Sequence, residues 1–213
     1  MKITFLALWF AAASSAATPA LIYTKVFPGS QPEFVFVSID RAGALEYKES
    51  PKDEHPVTAQ LPDLEVSEFF SLAEKLNYFR SPLESGLKVA NTGKKTFSYL
   101  DPDGKRTDVT FNYSTEENAA KLLDHFEQVA ASERAYIDLD RTAHFDKLGV
   151  NDALAAIESL WLHKQLTAPA QFIPLLNRIA THESYMHLAR DRAARLRDEF
   201  AVPPPAGDSG KSK

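Results

Sequence analysis

Hydrophobic and polar positions alternate most cleanly in residues 95–113, where Phe97, Tyr99, Val109, Phe111 and Tyr113 interleave with Ser98, Thr110 and Asn112. Period-two alternation predicts two strands with one buried face. Asp101-Pro102-Asp103-Gly104 parts them, with a proline that presets φ and a glycine that accepts the positive φ closing a turn. The period then changes to 3.6: Ala119, Leu122, Leu123, Phe126, Val129 and Ala130 share one side of a helix, and Ser114 and Glu117 have capping-box spacing. Residues 95–131 read as a ββα unit whose apolar faces need partners.

Upstream residues supply them. Residues 21–27 suit a strand that ends at Pro28-Gly29-Ser30-Gln31-Pro32. Residues 34–39 are almost continuously apolar and 44–49 alternate, so they read as a hairpin whose first strand is central and covered on both faces. Residues 57–61 add an edge strand. Asp63 is placed to cap a helix with Val66, Phe69, Phe70, Ala73, Leu76 and Phe79 on one stripe. Downstream, residues 132–148 look helical but irregular. Asn151 is placed to cap a helix bearing Val150, Leu154, Ile157, Leu160 and Trp161. Pro174 belongs near a helix start, because an interior proline costs about 3 kcal/mol. Met186, Ala189, Ala193, Leu196 and Phe200 continue a helical stripe after a restart near Thr181.

The predicted fold is α+β: an antiparallel sheet of two hairpins plus flanking strands, order ββββ-α-ββ-α, covered on one face by two helices and followed by an all-helical part. Residues 21–131 would form the sheet domain, 132–200 a helical subdomain and 201–213 a disordered tail. Lys2, the apolar run 3–13 and the small residues after it read as a signal peptide over residues 1–20, cleaved at Ser15-Ala16-Ala17 or Thr18-Pro19-Ala20. The run is too short to span a membrane, so no span is expected after cleavage.

Composition narrows the chemistry. With 213 residues and 44% hydrophobic content the chain can pack a core. Zero cysteines exclude disulfides, thiolate metal sites and cysteine nucleophiles. The formal net charge of −5 argues against indiscriminate nucleic-acid binding. Arg178, Arg190, Arg192, Arg195 and Arg197 are interleaved with Glu183, Asp191, Asp198 and Glu199, which makes a mixed surface, and Asp191 precedes Arg195 at ion-pair spacing.

Residues 80–94 form a long polar loop with Pro82, Gly86 and Gly93, and such loops often carry function. Within it Ser85 and Lys88 have the Ser-x-x-Lys spacing of a lysine-activated nucleophile, with Glu84 adjacent. No Ser-Asp-Asn or Lys-Thr-Gly follows, and two glycines oppose the helix that would align the pair, so an ordinary turn is the simpler reading. His182 and His187 resemble a zinc-protease pair but lie five apart. Five residues turn a helix about 500°, against about 400° for the required four, so the rings diverge unless the helix breaks. Glu183 and His187 read instead as an i,i+4 helix pair. His125, His144 and His163 sit beside Glu127, Asp146 and Lys164, and Asp138, Asp140 and Asp146 are near His144, patterns that charged helix faces explain. Asn112-Tyr113-Ser114 is a glycosylation sequon at a strand end.

No metal and no cofactor are expected. The function read from these patterns is an exported, secreted or periplasmic, non-catalytic binding module for another protein or a cell-envelope component. A hydrolase centred on residues 80–94 and a structural assembly subunit are the alternatives.

Overall fold

The structure, a computed structural model, describes residues 17–202. Among them, strands β1 (Ala20–Val26), β2 (Phe34–Asp40), β3 (Ala44–Lys48), β4 (Val57–Gln60), β5 (Lys94–Leu100) and β6 (Arg106–Phe111) form one antiparallel sheet in the order β4-β3-β2-β1-β5-β6. Helix α1 (Asp63–Lys75) lies between β4 and β5 in the chain. After β6 come α2 (Glu117–Phe145), α3 (Val150–Leu162), α4 (Ile173–Thr181) and α5 (His187–Phe200). The fold is α+β with the expected element order and a helical C-terminal part. No described helix is long and apolar enough to cross a membrane. The expected leader and tail fall largely outside the described residues.

β1 is central, paired with β2 on one side and β5 on the other, and its Leu21 and Tyr23 are fully buried. α1 and α2 cover one face of the sheet only. The strand at 34–39 is therefore not sandwiched, as its continuous apolar run suggested. Val35, Val37 and Ile39 are buried, whereas Phe34, Phe36 and Ser38 are half-buried on the open face, and the Lys48 ammonium lies 5.3 Å from the Phe36 ring centre. A cation over an aromatic face lets such a ring stand at a solvated surface.

Gly43 shows how tightly the β2–β3 turn abuts the chain leaving β4. Its φ is +86°, and a Cβ there would stand 2.5 Å from Gln60 Nε2 and 2.7 Å from the Leu61 carbonyl. Only glycine fits. Beyond α1, Asn77, Tyr78 and Phe79 all take positive φ, of 51°, 48° and 65°. Each costs of order 1 kcal/mol. Burial of Phe79 and the stacking of Tyr78 on Tyr99, 4.4 Å between centroids, oppose that cost.

The two helical stretches read separately on either side of residue 131 are one helix of 29 residues, about 43 Å long. No glycine or proline interrupts it. Its first half packs Ala119, Leu122, Phe126 and Val129 into the sheet core, with Leu123 and Ala130 partly buried; its second half gives Leu139 and Ala143 to a separate core among α3, α4 and α5. The apolar phase looked irregular because the helix changes partner midway.

Several terminal signals act differently from their spacing. Pro62, not Asp63, is the N-cap of α1, and Asp63 and Glu65 instead stand in its first turn, where acidic groups favour the helix dipole. Glu116 precedes α2, and the Ser114 hydroxyl accepts the Glu116 N–H at 3.2 Å, so no capping box closes on Glu117. Gly149 is the N-cap of α3, and Asn151, inside the helix, accepts hydrogen bonds from Arg192. Pro174 is in the first turn of α4, as its geometry requires. The last helix restarts at His187 rather than near Thr181. Glu183 therefore lies outside it, His187 pairs with Asp191 at 2.7 Å, and Arg195 turns to Glu158 instead of Asp191.

Candidate functional site

Residues 80–94 run beside the end of β6. The Glu84 carboxylate accepts the Asn112 N–H at 2.6 Å, the Ser85 N–H donates to the Tyr113 carbonyl at 2.9 Å, and the Asn112 side chain accepts from the Thr92 N–H and donates to the Ala90 carbonyl. The Asn112 N–H, with other backbone donors, holds the Glu84 carboxyl below the usual glutamate range. No helix forms here. Gly86 takes φ +69°, and the Ser85 hydroxyl accepts the Leu87 N–H at 3.2 Å. Among the described residues, no hydrogen bond joins Ser85 to Lys88, which is exposed. The sequon residue Asn112 spends its amide on this loop.

A different arrangement faces α2 at the same end of the sheet. Strand register sets Val35, Lys25, Lys95 and Phe111 in one row across β2, β1, β5 and β6. Two lysines thus stand side by side on a face that is otherwise apolar. Lys95 is only 5% exposed; its ammonium donates to Thr92 Oγ1 at 2.8 Å and the Asn112 carbonyl at 2.9 Å, with the Thr92 and Gly93 carbonyls at 3.4 Å. Burial pushes its pKa down, and Lys25 acts in the same direction. The ring of oxygen acceptors favours the charged form, so Lys95 works as a clasp between the loop and β6.

Lys25 reaches the other way, to Glu127 of α2 at 3.2 Å. This ion pair stands between two cavities. One, about 440 Å³, is bounded by Lys95, Asn112, Tyr113, Ala119 and Leu123. The other, about 290 Å³, is bounded by Tyr23, Tyr47, Pro32, Ala130, Ala131 and Arg134. Lys25 and Glu127 line both. The second cavity exists because Ala130 and Ala131 are short where Glu127 and Arg134, on either side along the helix, are long. Arg134 donates to the Gln31 carbonyl, and its nearest carboxylate, Asp138 at 4.0 Å, is held more closely by Arg141 at 2.7 Å. Tyr23 stacks on Phe126 with 5.2 Å between centroids, and its buried hydroxyl has no hydrogen-bond partner among the described residues. Burial, reinforced by Glu127, raises the phenol pKa well above its ordinary value. The arrangement offers cationic, anionic and aromatic contacts along one groove between α2 and the sheet end.

The remaining candidates are dispersed. The chain between α4 and α5 does break between His182 and His187, yet His182 Nδ1 bonds the Ser184 hydroxyl at 2.8 Å and His187 bonds Asp191. Asp140 pairs with Arg178 and His144, Asp138 with Arg141, and the Asp146 carboxylate accepts the Gly149 N–H. No group of three or more metal-ligating side chains converges among the described residues. The groove itself escaped sequence reading. Lys25 is in phase with Leu21 and Tyr23, and Lys95 with Phe97; a lysine on the buried phase of a strand was the available signal. No protein-family model matches the chain, and no curated protein matches its sequence.

Proposed function

We propose that the protein is an exported, non-catalytic binding module whose ligand lies in the groove along α2, across the Lys25–Glu127 ion pair. The observation that carries this reading is the meeting of two cavities at that one ion pair. A face built for burial has charges and open volume where a core would place large apolar side chains. A cell-envelope component or a segment of another protein suits such a groove, since both offer apolar and charged groups together. Export is supported by Lys2, the apolar run 3–13 and the small residues after it. Of the two cleavage positions, the one after Ala17 leaves β1 whole, whereas cleavage after Ala20 would cut into it.

The test has two arms. Mass spectrometry of the exported protein should give an N-terminus at Thr18; a Met1 start in mature cytoplasmic protein removes the export reading. Chemical cross-linking in whole cells, from a photoreactive residue placed at Ala131, should capture an envelope or protein partner that Lys25→Glu loses. Capture unchanged by Lys25→Glu removes the groove as the ligand site.

One contact favours a second reading, the hydrolase. Thr92 Oγ1 lies 2.8 Å from a buried lysine of lowered pKa, the relation of a nucleophile to its base. Against it, the lysine is surrounded by acceptors, which stabilise its ammonium. Hydrolysis of an activated ester by wild type, lost in Thr92→Val and Lys95→Met alike, would establish the hydrolase; turnover unaffected by Thr92→Val ends it.

A further inference from the structure

Glu133 lies midway along α2, fully buried, where the sheet core and the helical core adjoin. Opposite it is the turn Pro169–Phe172, which leads into α4. The chain just before that turn joins both cores, since Leu166 belongs to the helical one and Ala168 to the sheet one. Ser132 and Glu133 hold this segment on α2. The Ser132 hydroxyl accepts the Thr167 N–H at 2.9 Å, and Gln171 Nε2 donates to Glu133 Oε1 at 2.7 Å.

That second contact leaves two buried oxygens without a partner among the described residues, Glu133 Oε2 and Gln171 Oε1. Each is the other oxygen-bearing half of a group already in the bond. As carboxylate and amide both are acceptors and cannot pair. A proton on Oε2 resolves both at once: the carboxyl O–H donates to the amide oxygen while the amide N–H donates to the carboxyl oxygen, closing a ring of two hydrogen bonds.

The charges around Glu133 give it no other partner. On α2, Arg134 is turned to the Gln31 carbonyl, and Tyr136 is a phenol; from β3, Tyr47 donates to Glu49; from the facing turn comes only the neutral Gln171. Among the described residues no cation compensates a buried carboxylate here, which makes the charged form expensive.

We propose that Glu133 is protonated in the folded protein and that the Glu133–Gln171 ring is a pH-sensitive clasp at the seam of the two cores, closed while the proton is held and loosened when it leaves. Desolvation raises the Glu133 pKa from an ordinary 4.5 to about 7, which places the transition near neutrality. For an acid whose folded pKa is raised, the sign is fixed. Below about pH 4.5 folded and unfolded chains both hold the proton; from there to about pH 7 only the unfolded chain releases it, and stability falls with rising pH; beyond that the loss is complete. Above neutrality the ring opens to one hydrogen bond, from Gln171 Nε2 to the carboxylate, and the segment 165–172 is held by that bond and by Ser132 while a buried charge goes unanswered.

Urea unfolding of the full chain and of Glu133→Gln, compared from pH 4 to pH 9, tests this. The substituted amide offers Gln171 the same donor and acceptor with no proton to lose. The wild-type folding constant, relative to the variant, should fall about tenfold per pH unit between about pH 4.5 and 7 and then level. A ratio constant across the range overturns the proposal. Should the variant fail to fold, infrared difference spectroscopy of the wild type decides it. A buried protonated-carboxyl stretch present at pH 6 and diminished at pH 8 supports the clasp, and its absence at pH 6 overturns it.

Discussion

Lys25 and Lys95 are directly opposed across β1 and β5, two like charges on the covered face of one sheet. Such a pair costs free energy unless each cation is answered. Each is answered from a different side, Lys25 by Glu127 and Lys95 by the oxygens of Thr92, Gly93 and Asn112. The two should therefore behave differently when removed. Lys95→Met leaves its part-buried acceptors without a donor and frees the loop, with an expected loss of about 1–3 kcal/mol. Lys25→Met breaks a half-exposed ion pair and should cost less than about 1 kcal/mol. Denaturant midpoints compare the two, and hydrogen exchange should show residues 92–94 exchanging faster only in Lys95→Met. Equal midpoints would mean that Lys95 is not a clasp.

Within residues 80–94, the roles of Glu84, Ser85 and Lys88 also separate. Glu84 is tied to the Asn112 N–H and its pKa is depressed. A depressed acid contributes stability that is present above the ordinary glutamate pKa and lost as pH falls through the folded value. Glu84→Gln should therefore lower the thermal midpoint at pH 7 and lose that deficit in acid, whereas Ser85→Ala and Lys88→Ala should each stay within about 0.5 kcal/mol of wild type. A deficit in Glu84→Gln that persists unchanged at pH 3 would show that the carboxylate charge is not what holds the loop.

Local chemistry explains how much of this was readable beforehand. The alternation around Phe97 and Phe111 and the stripe of Leu122, Phe126 and Val129 stated the ββα unit directly, because period and turn residues act within a few positions. Coverage of β2 on one face could not be read, since Phe34 and Phe36 are apolar on the open side and nothing in the run marks the Lys48 ammonium that shelters Phe36. The continuity of α2 was hidden by its change of partners at Ser132. The groove was hidden for a related reason. Lys25 and Lys95 are seventy positions apart, and only strand register makes them neighbours. Glu133 was not read as a buried acid although Val129, Ala130, Tyr136 and Ile137 stand three and four positions from it, because nothing near it in the chain marks its partner; Gln171, which completes it, belongs to a turn.

The packing at Phe126 gives the sharpest stability test. Its ring is fully buried and meets Tyr23 at 5.2 Å, Phe69 at 4.9 Å and Phe97 at 5.7 Å, so one side chain joins α1, α2, β1 and β5. Deleting it opens a cavity among rings that are held by their own strands and helices and cannot all collapse inward. Phe126→Ala should cost about 3–5 kcal/mol, a large share of the roughly 5–15 kcal/mol that holds a whole domain folded. Glu127, the next residue, points to the groove, and its bond to Lys25 is half exposed. Glu127→Ala should cost under about 0.5 kcal/mol. Urea melts of the two variants at pH 6, where the Glu133 clasp is closed, measure the contrast without adding a second transition. Similar midpoints would mean that the ring cluster, and with it the seating of α2 on the sheet, does not govern stability.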